Sequence, residues 1–311
     1  MCAPGSGAWA ETRTDRTSGC DPGRVRRPLL LAVAAALVTG CGGAAPTAAP
    51  APVPTTMAPA PSPAAPSPAA AVPSPVTKPV WVVGASPLPL RPDGFGQVLP
   101  TPPLLRDRRM TAPDLLAAPA DGRFAASVSP VSPAIRTRMG ESWSEACPVG
   151  LDDLRYLTVS FKGFDGKAHT GELVVNATVA DDVVAVFRQL YADGFPIEEM
   201  RLPTTADLRA APTGDGNNTA TYVCRAARGQ KRWSQHAYGL AVDINPFHNP
   251  LVKRDLVVPE LASAYANRDA VRPGMHVRGG AAVRAFASVG WKWGGAWRSS
   301  KDYMHFSRNG Q

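Results

Sequence analysis

The chain has 311 residues, 33 prolines and a formal net charge of +8. Most of the prolines precede residue 135, so the first third lacks the composition of a packed core and the folded unit is expected later. The basic charge could favour several kinds of anionic polymer. Because the sequence has no run of Lys and Arg and no interleaved aromatic pattern, we expect no nucleic-acid partner.

An export signal is the first predicted element. Three arginines within residues 24–27 precede an apolar run from Leu29 to Val38, which is too short to span a membrane. The run leads into Thr39-Gly40-Cys41, and this stretch resembles the lipobox of bacterial lipoproteins, which implies cleavage before Cys41 and acylation of its thiol. We therefore predict a signal peptide over residues 1–41 and an extracytoplasmic protein, lipid-anchored to the outer face of the cytoplasmic membrane. The alternative is an ordinary signal peptide, which would leave the protein secreted.

A linker and a surface segment are predicted next. Residues 42–79 consist almost wholly of Ala, Pro, Ser, Thr and Val, a composition typical of a disordered tether with a reach on the order of 100 Å. Residues 80–147 carry more charges and several apolar clusters, so we expect an extended segment that packs on the domain or is partly disordered. The folded domain is assigned to residues 148–311.

The strands and helices of this domain follow in chain order. Residues 154–161 and 170–176 have the β-branched and aromatic content of strands, and the Gly-containing turn between them predicts a hairpin. Apolar residues recur at helical spacing from Val183 to Tyr191, with Thr178 and Asp181 as a cap. The remaining elements are a strand over 197–202, a loop over 204–219 that is too polar to pack, a helix over 281–289 and a last strand over 303–307. The sequence thus predicts one α+β domain with a small, mostly antiparallel sheet and flanking helices.

Two of the five cysteines, Cys147 and Cys224, lie in the folded part. In an exported domain they could close a disulfide across the intervening segment, which would stabilise the fold by ~3–5 kcal/mol. The alternative is two separately buried thiols.

Two segments concentrate residue types that bind metals. The segment 234–246 contains His236 and Asp243, and a second pair, Asp302 and His305, follows near the carboxyl end. Catalytic zinc takes three protein ligands and leaves one position open, and imidazole with carboxylate supplies these ligands without oxidisable thiolates. Apolar neighbours surround Asp243, so its carboxylate would be costly to bury without a cation. We therefore predict a Zn²⁺ site with the ligands His236, Asp243 and His305.

The local sequence places these groups on different elements. Gly239 opposes a helix, and β-branched residues on both sides of Asp243 favour a strand, so His236 is expected in a loop before that strand. Asp302 is expected in the loop before the last strand. There it could take a proton from zinc-activated water and pass it to the leaving amine.

The same residues give the chain a family resemblance. The pattern His236-x6-Asp243, followed distantly by Asp302-x-x-His305-Phe, resembles the VanY-type zinc peptidases, which include D-alanyl-D-alanine carboxypeptidases and the L-alanyl-D-glutamate peptidases of phage endolysins. The likeness spans roughly residues 154–307. It extends to the stretches Phe195-Pro196-Ile197, Asn218-Thr219, Cys224-Arg225, Asn245-Pro246 and Gly290-Trp291-Lys292-Trp293-Gly294-Gly295. The resemblance implies the same three zinc ligands, Asp302 as general base where some relatives use Glu, and a DD-peptidase or hedgehog-like zinc peptidase fold.

Two further side chains are assigned through the resemblance. Arg225 resembles the basic residue that steadies the oxyanion in some relatives, and the alternative for it is a surface position. Ser234 is expected to orient the substrate or His236. The other histidines, His169, His248 and His276, lack partners at ligand spacing and are expected to be structural or exposed. The tryptophans Trp291, Trp293 and Trp297 are expected to wall a cleft or to belong to the core.

Together these features predict a zinc peptidase that hydrolyses peptidoglycan stem peptides, as a D-Ala-D-Ala carboxypeptidase or an L-Ala-D-Glu endopeptidase. We expect a monomer whose partners are peptidoglycan peptides and, through the lipid on Cys41, the membrane. One alternative is a catalytically idle, peptidoglycan-binding lipoprotein on the same fold. Another is a periplasmic metal carrier. The presence of the proton acceptor Asp302 beside the ligands argues against both.

Overall fold

The computed structural model describes residues 80–227 and 230–311. The predicted signal peptide, the lipidation site Cys41 and the linker therefore lie outside the described residues. Within the described ranges, no helix combines the length and the apolar character needed to cross a bilayer.

The fold is α+β and consists of short strands in small sheets with few helices, which confirms the predicted class. The strands are β1 (Ala126–Pro130), β2 (Leu154–Lys162), β3 (Ala168–Asn176), β4 (Glu199–Met200), β5 (Asn218–Thr219), β6 (Ala241–Asp243), β7 (Leu251–Lys253), β8 (Leu256–Val258), β9 (Lys292–Trp293), β10 (Lys301–Asp302) and β11 (His305–Ser307). The helices are α1 (Pro133–Met139), α2 (Ala180–Ala192), α3 (Thr205–Arg209), α4 (Ser263–Ala266) and α5 (Ala281–Ser288).

The largest sheet has the order β1-β2-β3 and is antiparallel throughout. Its β2–β3 hairpin is the one predicted from the sequence. Helix α2 packs on β2 and against α5, and its apolar stripe, which includes Val183, Phe187 and Leu190, is fully buried in the main core. Burying each of these side chains contributes roughly 1.5–3 kcal/mol, which holds the helix on the sheet.

The predicted cap of this helix was wrong. The Asn176 side chain accepts hydrogen bonds from the backbone N–H and the hydroxyl of Thr178, at 3.1 and 2.7 Å. The bond from the Thr178 backbone N–H caps a 3-10 turn over Ala177–Val179 that precedes α2. Because the capping residue comes two positions earlier than expected, the helical chain begins directly at the end of β3.

The prediction that residues 204–219 form a polar loop that does not pack was also wrong. It contains α3 and β5, and β5 pairs in parallel with β4. Three of its polar residues, Asp215, Asn217 and Thr219, are almost completely buried. They can be buried because internal partners satisfy them: Asp215, for example, accepts hydrogen bonds from the indole of Trp81, from the backbone of Gly84 and from the hydroxyl of Thr213.

Two small antiparallel sheets carry the second half of the domain. One has the order β6-β11-β9 and the other has the order β10-β7-β8. In the first, Phe306 of β11 pairs with Val242 of β6 on one side and with Trp293 of β9 on the other. The Phe306 ring also stacks on Phe286 of α5 with centroids 4.0 Å apart, so this sheet is joined to the main core.

Residues 80–110, named here the amino-terminal arm, pack along the domain. Leu105 is fully buried in a second apolar cluster with Phe247 and Tyr265. The Arg108 guanidinium is buried and binds both oxygens of Glu198, at 2.8 and 2.6 Å. These contacts fix the arm on the rest of the structure. Further along the chain, Cys147 and Cys224 form a disulfide bond.

Candidate metal centre

His236 lies in a 3-10 turn, Gln235–Tyr238, that immediately precedes β6. The Ser234 hydroxyl caps this turn by accepting a hydrogen bond from the His236 backbone N–H at 3.3 Å. The turn ends at Gly239, which has φ +67° and lies so close to Asn176 that a Cβ would be 2.5 Å from its backbone nitrogen. Only glycine fits both conditions, so the local sequence directs the chain from the histidine turn into the strand.

Asp243 and His305 are brought together by strand register. Asp243 ends β6, His305 begins β11, and the two residues lie directly opposite each other in the antiparallel pair. Opposite residues on adjacent strands have Cβ atoms about 4.5–5.5 Å apart, which is within reach for two side chains that bind one ion. Asp243 also exchanges both backbone hydrogen bonds with Ala220, so the strand is held from its other edge as well.

The three predicted ligands converge. His236 Nε2 lies 3.2 Å from Asp243 Oδ2, His305 Nδ1 lies 3.0 Å from Asp243 Oδ1, and the two nitrogens are 3.3 Å apart. A tetrahedral ion with ligand bonds of about 2.0–2.1 Å requires ligand atoms about 3.3 Å from one another. The observed separations therefore fit one small divalent ion. Among residues 80–227 and 230–311, His236, Asp243 and His305 form the one group of at least three His, Cys, Asp or Glu side chains that could hold a metal ion.

The outer nitrogen of each imidazole faces a backbone carbonyl. His236 Nδ1 is hydrogen-bonded to the carbonyl of Thr221, and His305 Nε2 lies 2.9 Å from the carbonyl of Gln311. A carbonyl can only accept, so each outer nitrogen carries a proton, and the inner nitrogen of each ring is the atom that offers a lone pair to a metal ion once it is unprotonated. The two inner nitrogens and the carboxylate face one another, and this donor set fits a metal ion.

In the metal-free form the cluster balances its charge with a proton. Burial opposes the charged imidazolium of His305, but the hydrogen bond and charge of Asp243 outweigh this effect and raise the pKa of His305 to about 9. Burial also acts to raise the pKa of Asp243, but the charges and hydrogen bonds of the two histidines hold it well below its usual range. The site therefore keeps an ionised carboxylate and attracts positive charge.

Asp302 lies at the end of β10, opposite Leu251, rather than in the predicted loop. Its Oδ1 atom is buried and has no hydrogen-bond partner in the part of the chain that the structure describes. Burial raises the pKa of Asp302 to about 7, although the charge of His305 acts to lower it. A buried carboxyl that titrates near neutral pH and has an unused oxygen is suited to accept and return a proton.

Gly294 sets the position of this acid. A Cβ at Gly294 would lie 2.7 Å from the backbone oxygen of Asp302 and 3.3 Å from the Cβ of His305. The glycine-rich stretch therefore packs directly against the segment that carries both groups. This close approach is a physical reason for glycine at this position.

The metal ligands open onto a cavity of about 330 Å³, named here the metal cleft. Arg225 and Ser234 both line it, together with Asp302. The Arg225 guanidinium is half-buried and donates to the carbonyl of Ala226 at 3.3 Å. The structure therefore brings the three predicted metal ligands and the predicted residues Asp302, Arg225 and Ser234 to one cleft, with Ser234 supporting His236 directly.

Several groups of the site were not predicted from the sequence. The carbonyls of Thr221 and Gln311 orient the imidazoles, and backbone partners leave no signal in residue type. Arg232 and Lys253 also line the cleft, and isolated basic residues are too common in a sequence to be assigned. Trp297, by contrast, was expected in a cleft wall or in the core, and it lines the cleft with its ring centroid 5.5 Å from that of His305.

The other histidines are structural. His248 and His276 are fully buried, and burial lowers the pKa of each to about 3. His248 contacts the Asn217 side chain and the Arg108 carbonyl, and His276 contacts the Tyr303 carbonyl. His169 lies away from the cleft between the carboxylates of Asp114 and Asp165.

Comparison with known families gives one match. Residues 228–308, about a quarter of the chain, match the family model of D-alanyl-D-alanine carboxypeptidase. The match confirms the family resemblance predicted from the sequence, and it includes His236, Asp243, Asp302 and His305. Neither the curated proteins nor the solved structures give a match. The fold, the donor set and the family match together support a metallopeptidase of the carboxypeptidase type.

Proposed function

We propose that this protein is a zinc-dependent peptidase that hydrolyses the stem peptides of peptidoglycan. The observation that carries the proposal is the convergence of two imidazole nitrogens and the Asp243 carboxylate at separations of 3.0–3.3 Å, beside a buried Asp302 oxygen that has no hydrogen-bond partner within the described residues. The family match supports a peptidase, and the donor set of two imidazoles and one carboxylate favours zinc over calcium or magnesium, which prefer oxygen ligands.

His236, Asp243 and His305 would hold the zinc ion. When bound, zinc supplies a Lewis acid that polarises a carbonyl and lowers the pKa of water from about 15.7 towards about 7. Asp302 accepts the proton of the attacking water and returns it to the leaving amine. A nearby divalent cation favours the ionised form of Asp302, so the carboxylate is ready to accept this proton.

The basic lining of the metal cleft favours an acidic substrate. Arg225, Arg232 and Lys253 face the same cavity as the metal ligands, and their charges attract carboxylates. The stem peptides of peptidoglycan carry such groups. Arg225 is placed to bind a substrate carboxylate or the oxyanion that forms during hydrolysis. We further propose that the protein acts outside the cytoplasmic membrane, anchored through Cys41.

Hydrolysis of purified muropeptides tests the proposal. The wild-type chain loaded with zinc is expected to release a product, and both His236→Ala and Asp302→Asn are expected to abolish turnover with an unchanged circular dichroism spectrum. Asp302→Asn keeps the three zinc ligands, so it separates loss of the proton acceptor from loss of the ion. A zinc-loaded wild type without turnover would instead favour the idle binding module, and unchanged turnover in both variants would refute the assignment.

A further inference from the structure

A second cavity of about 680 Å³ adjoins the metal cleft. Phe95, Arg225 and Val258 line both cavities, so the two cavities adjoin at these three residues. Small-molecule sites commonly measure roughly 300–1,000 Å³. Each cavity alone reaches this size, and the pair suits a ligand of several residues better than a single amino acid.

The wall of the second cavity is built largely outside the residues that match the family. Its lining comes from the amino-terminal arm, including Val83, Gly84 and Phe95, and from the segment 199–218. The family match begins only at residue 228. The second cavity therefore lies largely outside the matched segment, which contributes Val258, Pro259 and Glu260 to its lining.

Several contacts hold the arm side of this wall in place. The Trp81 indole donates to Asp215 at 2.9 Å, and the Gly96 backbone N–H donates to buried Glu260 at 2.8 Å. The Arg108 guanidinium also donates to the backbone carbonyl of Asp215 at 2.7 Å. With the bidentate contact of Arg108 to Glu198, these bonds anchor the arm along its whole length. The cavity is therefore preformed, which lowers the entropic cost of binding an extended ligand.

The lining of the second cavity includes several glycines with accessible peptide groups, and carboxylates that already have hydrogen-bond partners within the protein. Gly84, Gly94 and Gly216 each have open space where a Cβ would stand, so peptide groups are accessible beside the cavity. The lining acids already have internal partners: Asp215 binds neutral donors of the arm, and Asp207 binds Arg201. This lining favours hydrogen bonding to an extended peptide over the binding of a second metal ion.

We propose that the second cavity is a substrate subsite that binds the part of the wall peptide remote from the scissile bond. The inference rests on the proposed function and assigns the substrate class as an extended peptide of several residues that passes Arg225. Binding energy gained there is used at the metal cleft to orient the scissile bond. Long substrates are therefore cut more efficiently than short ones with the same scissile bond.

Gly216→Leu is the variant that tests this subsite. Gly216 lines the second cavity, is exposed, has a backbone conformation that any residue adopts, and has no atom within 4 Å of an added Cβ. A leucine side chain at this position therefore takes up space at the cavity wall without a clash at its Cβ. Gly150→Leu is the matched control, because Gly150 is exposed, has φ −75°, and would meet only ordinary van der Waals contact at 3.7 Å.

Two measurements on the full chain follow. The first is kcat/KM for the intact muropeptide and for a dipeptide with the same scissile bond. The second is calorimetric binding of the muropeptide to the Asp302→Asn background, which needs no turnover. Gly216→Leu is expected to lower kcat/KM and affinity for the muropeptide at least about tenfold, and to leave dipeptide hydrolysis within about twofold of wild type. Gly150→Leu is expected to change neither.

Equal loss on both substrates, or no loss on the muropeptide, would overturn the subsite. If the wild type cleaves both substrates with equal kcat/KM, the subsite is also overturned, but the proposed function stands. A zinc-loaded wild type that cleaves neither substrate defeats the proposed function itself, so the two failures are distinguishable. An unchanged melting temperature of Gly216→Leu would show that any loss of activity or affinity arises locally at the cavity.

Discussion

Zinc binding is expected to release protons from the metal centre, because the metal-free cluster holds a proton that the metal must displace. The pKa of His305 is raised to about 9, so about 99 % of this imidazole is protonated at pH 7 in the metal-free protein. A ligand nitrogen must be unprotonated. One proton therefore leaves His305 for each zinc bound at pH 7.

Asp302 adds a fraction of a proton to the number released for each zinc bound. Its pKa of about 7 leaves about half of the carboxyl protonated at pH 7, and a nearby divalent cation lowers the pKa and drives that proton off. Wild type is therefore expected to release more protons than Asp302→Asn, by up to about half a proton per zinc at pH 7. Below pH 9 the apparent affinity falls about tenfold per pH unit through His305 alone, or about 100-fold from pH 8 to pH 6.

Titration calorimetry in buffers of different ionisation enthalpy measures this release directly. His169→Gln is the control, because His169 is also a histidine bound by two carboxylates but lies outside the cleft. It is expected to release the same number of protons as wild type. Zinc binding without proton release, or with an affinity independent of pH between 6 and 8, would refute the reasoning about the cluster.

Further predictions concern the supports of the site. Gly294→Ala places a Cβ 2.7 Å from a backbone oxygen of β10, and we expect about 1–3 kcal/mol of destabilisation in urea unfolding together with a lower kcat. Arg108→Met leaves the buried Glu198 carboxylate without its cation and is expected to cost about 3–5 kcal/mol, whereas adding Glu198→Gln recovers part of the loss in a double-mutant cycle. Replacing Cys147 and Cys224 by serine opens a loop of sequence separation 77 and is expected to cost about 4–5 kcal/mol by the same unfolding assay.

The elements that the sequence predicted well depend on local patterns. The hairpin of β2 and β3 and the helix α2 have clear periodicity, and they are present near the expected boundaries. The candidate metal ligands were recognisable because two His–Asp pairs occur together in an arrangement that resembles a known family, whereas each residue alone would have been unremarkable.

The features that the sequence did not predict depend on distant contacts. The segment 204–219 is as polar as a surface loop, and Asp215 is buried only because the arm supplies Trp81 and Gly84 as partners from more than 130 residues away. The placement of Asp302 in β10 depends in the same way on pairing with Leu251. Neither contact is encoded in the local pattern, so periodicity could not indicate them.

X-ray absorption at the zinc edge of the zinc-loaded chain tests the central claim most directly. We predict one zinc per chain, with two imidazole nitrogens and a carboxylate oxygen at about 2.0–2.1 Å, and loss of bound zinc in His236→Ala, Asp243→Ala and His305→Ala. A chain that retains no zinc after dialysis, or one whose zinc shell is unchanged when these three residues are replaced, would contradict the account.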